Sequence, residues 1–234
     1  MKLTGKVIAI TGGFGNLGVA LGAAAAAAGA QVALIGRSAA PPARDLPREL
    51  TGALLLGNVD VTSFEAAREA FATIVRRCTG LDVLVNGAGG FRWQTLADGD
   101  LETWDALYSV NLKTAVVASK AALPHLLARG GGRIINVGAA ASITAGKGMG
   151  AYAAAKAGVA RLTESLAAEM KDHGINVNAV LPGIIDTPAN RADMPQADFS
   201  RWVAPAALAD VIVFLASDGA RAITGALLPV SGRL

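Results

Sequence analysis

The sequence predicts an α/β protein in which helices cover both faces of a doubly wound parallel sheet, within one domain spanning residues 1–234. Short apolar runs rich in β-branched residues alternate with longer helix-forming stretches, as expected for parallel strands buried on both faces. Apolar residues make up 53% of the chain and aromatic ones only 5%, which favours thin, closely packed layers. Neither an internal repeat nor a linker divides the chain, and its length fits a single domain.

The first predicted unit is a strand over residues 6–11, a glycine-rich turn, and a helix that includes six consecutive alanines at 23–28. Glycines in such a turn keep it tight, let the backbone approach a pyrophosphate, and bring the helix close to the sheet. The free N–H groups at the start of the helix favour a bound phosphate. We therefore predict that a dinucleotide binds along this turn. The residues assigned to it are Gly12, Phe14, Gly15, Asn16, Leu17 and Gly18.

The charge distribution bears on location and partners. No charged residue lies between Lys6 and Arg37, so part of this stretch resembles a membrane span, but Gly22, Gly29 and Gln31 interrupt it and favour a helix followed by a strand. The N-terminus lacks the layout of a signal peptide, and we expect a soluble cytoplasmic protein without a membrane partner. Basic residues are scattered, so we expect no nucleic-acid partner, and we assign no metal site.

The second predicted strand, residues 31–35, ends at Gly36, Arg37 and Ser38. A site that prefers the unphosphorylated nicotinamide cofactor usually places an acidic residue here, which accepts hydrogen bonds from the ribose hydroxyls. Gly36 offers no carboxylate, whereas Arg37 can pair with a 2′-phosphate and stack on adenine. We therefore favour NADP(H), bound by Arg37 and Ser38. NAD(H) stays open, because the alternative is that Arg37 is an ordinary surface charge.

A third strand is predicted over residues 53–58. Asp60 and Val61 follow at its carboxyl end and are assigned to the cofactor site, where the aspartate can accept a hydrogen bond from the adenine amino group. The alternative is that Asp60 is simply a turn residue at the entry of the next helix. Thr62 and Glu65 have the spacing of a capping box for that helix.

The fourth predicted strand, residues 81–85, is followed by small residues that would let the cofactor lie across the strand ends. Three of them are assigned to the cofactor site: Asn86, Ala88 and Gly89. The bulky segment 91–93 is expected to overhang the active site. Beyond it, Asn111 is predicted to open a long apolar helix that reaches residue 128.

A tyrosine and a lysine four residues apart, Tyr152 and Lys156, form the candidate catalytic pair. They follow the fifth predicted strand, residues 133–137, on an alanine-rich stretch that favours a helix. Positions i and i+4 share one face of a helix, and a lysine ammonium beside a phenol lowers the pKa of that phenol. Alone, such a pair is more often an ordinary surface pair. The cofactor framework on either side favours the catalytic interpretation.

The sixth predicted strand, residues 175–181, leads into another candidate cofactor segment. The residues assigned there are Pro182, Gly183, Ile185 and Thr187. Residues 188–204 are polar and interrupted, and we expect an irregular lid or binding loop with Trp202 as its anchor. A helix over 206–216 and a strand over 226–230 complete the chain.

Taken together, these features resemble the classical short-chain dehydrogenase/reductase family over essentially the whole chain. The resemblance rests on the order and spacing of Gly12 to Gly18, Asp60, Asn86 to Gly89, Asn111, Tyr152, Lys156 and Pro182 to Thr187. It implies a Rossmann-type, seven-stranded parallel sheet, an NAD(P)-dependent oxidoreductase, and a homotetramer or homodimer. It also implies that Tyr152 donates a proton, that Lys156 lowers the pKa of Tyr152 and holds the nicotinamide ribose, and that Asn111 maintains a water relay.

Three positions depart from the family pattern. Asn16 stands where the glycine turn usually has its middle glycine, and Gly87 replaces the second asparagine of the motif after the fourth strand. The third departure matters most, because the family's catalytic serine falls at Ala139. An alanine cannot donate a hydrogen bond to a substrate carbonyl, and losing one such donor costs about 2.7–4 kcal/mol of transition-state stabilisation.

Two explanations for the missing serine are open. Either Ser142 reaches in as a substitute catalytic residue, or the substrate does not need the serine. We favour the second, with a small carbonyl or quinonoid substrate, because dihydropteridine reductases of this family also lack the serine and are similar over residues 186–202, although they usually prefer NADH. The first explanation gives a 3-oxoacyl or ketone reductase or an alcohol dehydrogenase. A non-catalytic nicotinamide-binding sensor is the third alternative.

Overall fold

The computed structural model describes every residue from 1 to 234 and contains seven strands and seven α-helices. The strands are Val7–Thr11 (β1), Gln31–Ile35 (β2), Leu54–Leu56 (β3), Val83–Asn86 (β4), Gly132–Val137 (β5), Ile175–Pro182 (β6) and Leu227–Val230 (β7). The helices are Asn16–Ala27 (α1), Phe64–Cys78 (α2), Leu101–Tyr108 (α3), Thr114–Ala128 (α4), Gly150–Met170 (α5), Pro188–Asp193 (α6) and Pro205–Ala216 (α7). None of the helices combines the length and the apolar character needed to cross a membrane.

The seven strands form one all-parallel sheet in the order β3-β2-β1-β4-β5-β6-β7, which confirms the predicted doubly wound fold. The chain starts in the middle of the sheet, winds to one edge, and then returns to wind to the other. The direction reverses between β1 and β4, whose carboxyl ends pair Thr11 with Asn86. Ligands of such sheets bind in the crevice at this reversal, so the fold places the candidate site there.

Two hydrophobic cores fill the space between the sheet and its helical layers. One lies under α1 and α7 and the other under α2 and α4, where Phe71 is fully buried. Burying one such large apolar side chain contributes about 1.5–3 kcal/mol. Helix α1 turns Gly22 and Ala25 inward, and a Cβ on Gly22 would lie 3.1 Å from Leu34. The small residues of α1 therefore bring it close to the sheet.

Helix α2 begins later than the capping-box spacing predicted. Its N-cap is Ser63, whose hydroxyl accepts a hydrogen bond from the N–H of Ala66. Thr62 lies one residue before this cap and accepts no helix N–H; its own N–H and hydroxyl donate to the carboxylate of Asp60, at 2.9 and 2.8 Å. The capping box of Thr62 and Glu65 is therefore wrong, and the turn closed by Asp60 takes its place.

The helix predicted to open at Asn111 begins much earlier, at the start of α3. There the carboxylate of Asp100 accepts a hydrogen bond from the N–H of Thr103. A π-helical segment, Ser109–Lys113, then joins α3 to α4 without a break. Asn111 therefore lies inside a long helix, at the widened turn, and not at its first residue.

The segment 188–204 is more regular than predicted. Thr187 caps α6 by accepting a hydrogen bond from the N–H of Asn190 at 3.2 Å, and Pro188 takes the first helical position, where proline is favoured. Trp202 is only 7% exposed and packs on Phe199, with ring centroids 4.8 Å apart. Trp202 is therefore a buried anchor of this segment.

Candidate active site

The glycine-rich turn joins β1 to α1 and packs against the loop that follows β4. Gly12 has a φ of 67°, and a Cβ there would lie 2.7 Å from the carbonyl oxygen of Gly87. A Cβ on Gly18 would collide with the carbonyl oxygen of Gly12. These two positions therefore require glycine. Asn16, the first residue of α1, is exposed, so its side chain replaces the family's usual glycine without disturbing the core.

The N-terminus of α1 lies at this turn, and no side chain there would compete with a bound anion. No side chain caps it, and its first turn carries no acidic residue. Its unpaired N–H groups and the positive end of its dipole are therefore available to an anion. Leu17, beside it, packs against the core under α1, so its side chain supports the turn from below.

Two side chains hold the loop that follows β4. The hydroxyl of Thr11 accepts hydrogen bonds from the N–H groups of Gly87 and Ala88, at 3.2 and 3.3 Å. Asn111 exchanges hydrogen bonds with both backbone groups of Gly90, at 3.2 and 2.9 Å, and is itself 2% exposed. The predicted residue Asn111 therefore positions this loop through its side chain.

Gly89 lies between the side chains of Asn111 and Lys156. A Cβ on Gly89 would be 2.9 Å from Oδ1 of Asn111 and 3.4 Å from Nζ of Lys156. The structure thus brings two predicted site residues, Asn111 and Lys156, together around a third, Gly89. The resulting space between the amide and the ammonium exists because position 89 has no side chain.

The side chain of Asn86, a residue assigned to the cofactor site, is engaged by other protein groups. It points into the sheet, where its Nδ2 donates to Ser119 at 2.9 Å and to Asn136 at 2.8 Å, and Asn136 in turn donates to Thr163. This buried chain of polar groups ties β4 and β5 to the helices α4 and α5. The Asn86 side chain therefore does not reach the crevice, and only its backbone remains for a cofactor.

Residues at the carboxyl ends of β2 and β3 form the second half of the predicted cofactor site. Arg37 and Ser38 are exposed. Hydrogen bonds from Thr62 lower the pKa of the Asp60 carboxyl, and the positive charge of Arg37 nearby adds to this effect. Because both bonds from Thr62 use Oδ1, the other carboxylate oxygen stays available to a ligand. Val61 is 7% exposed and its side chain belongs to the core, so only its backbone could contact a cofactor.

Tyr152 and Lys156 share one face of α5, with Nζ of Lys156 5.9 Å from the centre of the tyrosine ring. Nζ donates to the carbonyl oxygen of Val137 at 2.8 Å and is buried. Burial lowers the pKa of Lys156 from 10.5 to about 8, and burial raises the pKa of Tyr152 to about 12. The predicted lowering of the Tyr152 pKa is therefore wrong for the folded chain, because burial disfavours the charged phenolate. The phenol stays protonated at neutral pH, as a proton donor requires.

The turn after β5 contains both Ala139 and Ser142. Ala139 is 5% exposed, and its carbonyl oxygen accepts hydrogen bonds from the N–H and the hydroxyl of Ser142, at 2.9 and 2.7 Å. Ser142 makes no hydrogen bond to Tyr152. The hydroxyl proton of Ser142 closes its own turn, so the structure does not assemble it with the catalytic pair.

The bulky segment after β4 covers Tyr152, as expected. The ring of Phe91 meets the ring of Tyr152 edge to face, with centroids 5.1 Å apart and an interplanar angle of 87°. The indole N–H of Trp93 donates to the carbonyl oxygen of Lys147 at 2.9 Å, which fixes the segment to the chain just before α5. Phe91 is 52% exposed, so it presents an aromatic surface beside the phenol.

The segment after β6 lies at the same edge of the sheet. Pro182 ends β6, and the N–H of Gly183 donates to Val230 at 3.1 Å. Ile185 forms a short parallel bridge with Val203. Thr187 uses its hydroxyl oxygen to cap α6 and keeps its hydroxyl proton for another partner.

Sequence reasoning missed three contributors to this site. Thr11 and Asn136 are polar residues within or at the end of apolar runs, which is the pattern that would have drawn attention to them. The third is the main-chain carbonyl of Val137, which holds Lys156. Every residue has a main-chain carbonyl, so the sequence does not reveal such a contact between two elements.

Comparison with known proteins places this geometry in a family. The model of the short chain dehydrogenase family matches residues 6–198. The chain is 34% identical to the 3-oxoacyl-[acyl-carrier-protein] reductase of Thermotoga maritima, over 100% of this chain and 99% of that protein. It is 33% identical to 2-(S)-hydroxypropyl-CoM dehydrogenase 3 of Xanthobacter autotrophicus, over 99% and 97%. The crystal structure of carveol dehydrogenase from Mycobacterium avium in complex with NAD superimposes with a TM-score of 0.85, at 28% identity over 99% and 98% of the two chains.

The chain therefore belongs to the short-chain dehydrogenase family. It is an oxidoreductase of CH–OH or C=O groups that uses a nicotinamide cofactor. The residues present fit such a cofactor, since the glycine cradle at Gly12 and Gly18 would be filled by any Cβ and the N-terminus of α1 is free of acidic and capping side chains.

Proposed function

We propose that the chain is an NADP(H)-favouring reductase of a small carbonyl or quinonoid compound, with Tyr152 as proton donor. One observation carries the proposal: Tyr152 is the sole side-chain O–H donor of the catalytic set, because Ala139 replaces the serine and the Ser142 hydroxyl is engaged in its own turn. A conjugated ring spreads the charge that develops on reduction, so it needs less polarisation by the protein than an isolated ketone does.

When bound, the nicotinamide would supply the hydride. The free N–H groups at the start of α1 would hold the pyrophosphate. Arg37 and Ser38 would bind the 2′-phosphate, and Asp60 would accept a hydrogen bond from the adenine amino group. These assignments rest on the positions of the groups at one edge of the sheet and on the chemistry of each side chain.

The proposed proton path uses the buried pair on α5. Tyr152 stays protonated at neutral pH and gives its proton to the substrate oxygen or nitrogen. Lys156, with a pKa of about 8, is largely protonated at pH 7 and would hold the nicotinamide ribose while restoring charge balance near the phenol. Asn111 would maintain a water relay toward the lysine, across the space left by Gly89. Thr187 would donate its free hydroxyl proton to the cofactor.

A substrate screen tests the proposal. The wild-type chain is assayed with quinonoid compounds and with simple ketones, using NADPH and NADH. We expect quinonoid reduction with NADPH to be fastest, and Tyr152→Phe to lower kcat by about 10²- to 10⁴-fold. Tyr108→Phe is the matched control, since the chain's other tyrosine is exposed on α3. Equal rates for Tyr152→Phe and the wild type would contradict the assigned donor, and faster turnover with NADH would contradict the cofactor.

We further propose that the chain works in the cytoplasm as a homotetramer or homodimer, in keeping with the family resemblance. Light scattering on the purified protein measures the assembly directly. A monomeric mass at assay concentration would contradict this part of the proposal.

A further inference from the structure

Gly36, which follows β2, and Phe14, in the glycine-rich turn, lie so close that position 36 has no room for a side chain. A Cβ on Gly36 would be 2.5 Å from Cε2 and 2.9 Å from Cγ of Phe14, and closer still to Cδ2. Atoms that are not bonded to each other do not approach this closely. Any residue other than glycine at position 36 therefore requires the aromatic ring to move.

The backbone on both sides of this contact is fixed. The N–H of Gly36 donates to Leu56 at 3.0 Å, and its carbonyl oxygen accepts from the N–H of Val59 at 3.0 Å. The N–H of Gly13 donates to the last carbonyl of β2 at 2.9 Å, which ties the glycine-rich turn to the same strand end. Neither segment can withdraw without breaking these bonds, so only the ring can yield.

We propose that Phe14 is a specificity-determining residue for the cofactor. Its ring fills the space through which a carboxylate at position 36 would reach the ribose hydroxyls, and it leaves Arg37 as the charged group at this strand end. The inference rests on the proposed role of Arg37 and deepens it. Cofactor preference is set by the pair Phe14 and Gly36 together, so an acidic residue at position 36 works only when position 14 is small.

A stability series tests the contact without any cofactor. Gly36→Ala lowers the Tm by roughly 4–8 °C, because overpacking a fixed site is destabilising. In the Phe14→Ala background the same change has little effect. Gly52→Ala is the matched control, since a Cβ on Gly52 meets nothing within 4 Å. If Gly36→Ala is as mild as Gly52→Ala, the ring swings aside into the neighbouring groove lined by Asp45 and Pro47, and the proposal is overturned.

Fluorescence titration with NADH and NADPH tests the effect on binding. Relative to Phe14→Ala, the double variant Phe14→Ala/Gly36→Asp shifts the ratio of the two Kd values toward NADH by roughly tenfold or more, as expected for a charged hydrogen bond to ribose. Gly36→Asp alone gives a much smaller shift, or does not fold while the double variant does. A shift in Gly36→Asp as large as in the double variant overturns the proposal.

The two series separate this inference from the proposed function. A wild-type chain that binds NADH more tightly than NADPH overturns the assignment of Arg37 to a 2′-phosphate. The alanine series uses no cofactor and still decides whether Phe14 excludes side chains from position 36. If neither aspartate variant folds, the alanine series still tests whether Phe14 excludes side chains from position 36.

Discussion

Replacing Lys156 by methionine is expected to remove a pH-dependent destabilisation of the fold. The folded chain holds the pKa of this ammonium at about 8, against 10.5 in water, because the group is buried. At about 1.4 kcal/mol for each tenfold change in the protonation equilibrium, burying the charged lysine at pH 7 costs about 3 kcal/mol. The fold alone would therefore favour an apolar residue at this position.

The direction of the pH effect follows from which state loses its proton first. Below pH 8 both states carry the charge, and the full cost is present. Between pH 8 and 10.5 the folded state binds fewer protons than the unfolded state, so stability rises with pH. From pH 7 to 9.5 the wild type should gain about 2 kcal/mol relative to Lys156→Met. Tyr152 acts in the opposite sense, since its raised pKa makes stability fall with pH between about 10 and 12.

Urea unfolding at pH 7 and pH 9.5 measures the difference. Lys156→Met also loses the hydrogen bond to Val137, which costs about 1–3 kcal/mol at every pH, so the change with pH is the diagnostic quantity. Lys171→Met is the matched control, because that ammonium is exposed in the folded state. Parallel stabilities of the wild type and Lys156→Met across this range would refute the reasoning.

Three further predictions concern the chemistry. Ala139→Ser should raise kcat for simple ketones by about 10²- to 10³-fold if the new hydroxyl reaches the substrate oxygen, and unchanged ketone turnover would count against the assigned position. Ser142→Ala should retain full activity, since the hydroxyl of Ser142 only closes its own turn. A large loss of activity in steady-state assays would indicate that Ser142 substitutes for the missing serine. Phe91→Ala should raise KM for planar substrates by about two- to tenfold while leaving NADPH affinity unchanged, since an aromatic contact is worth about 0.5–1.5 kcal/mol. Equal KM values for Phe91→Ala and the wild type would show that Phe91 does not contact the substrate.

Errors in the sequence-based predictions for polar residues have one physical cause. A polar side chain has several possible hydrogen-bond partners, and only the folded chain brings them close. Thr62 has the spacing of a capping residue, yet its N–H and hydroxyl close a turn with Asp60, and the next residue, Ser63, caps the helix. Asn86 belongs to a cofactor motif, yet its side-chain amide donates to Ser119 on α4 and to Asn136 on β5. Spacing along the chain cannot rank these competitors.

The predicted direction of the Tyr152 pKa shift is wrong for a second reason, which is burial. A neighbouring lysine at position i+4 predicts a lower phenol pKa, and the two residues do share a face of α5. The sequence does not reveal how deeply the pair is buried, and burial raises the pKa instead. Proximity along a helix is local information, whereas desolvation depends on everything packed around the pair.

The seven strands in their order along the chain, the glycine-rich turn, and the candidate pair Tyr152 and Lys156 could all be predicted from the sequence, whereas α3 and α6 could not. The strands, the turn and the spacing of the pair follow from local periodicity and short-range steric rules, which act within a few residues, whereas the importance of Ala139 came from the family resemblance. The tertiary structure decided that the hydroxyl of Ser142 is engaged in its own turn and that Asn111 sits in a π-helical turn against Gly90. It also decided that Phe14 fills the space beside Gly36. Each of these depends on side-chain packing or on a hydrogen-bond partner chosen in the folded chain, and such contacts exist only once the chain has folded.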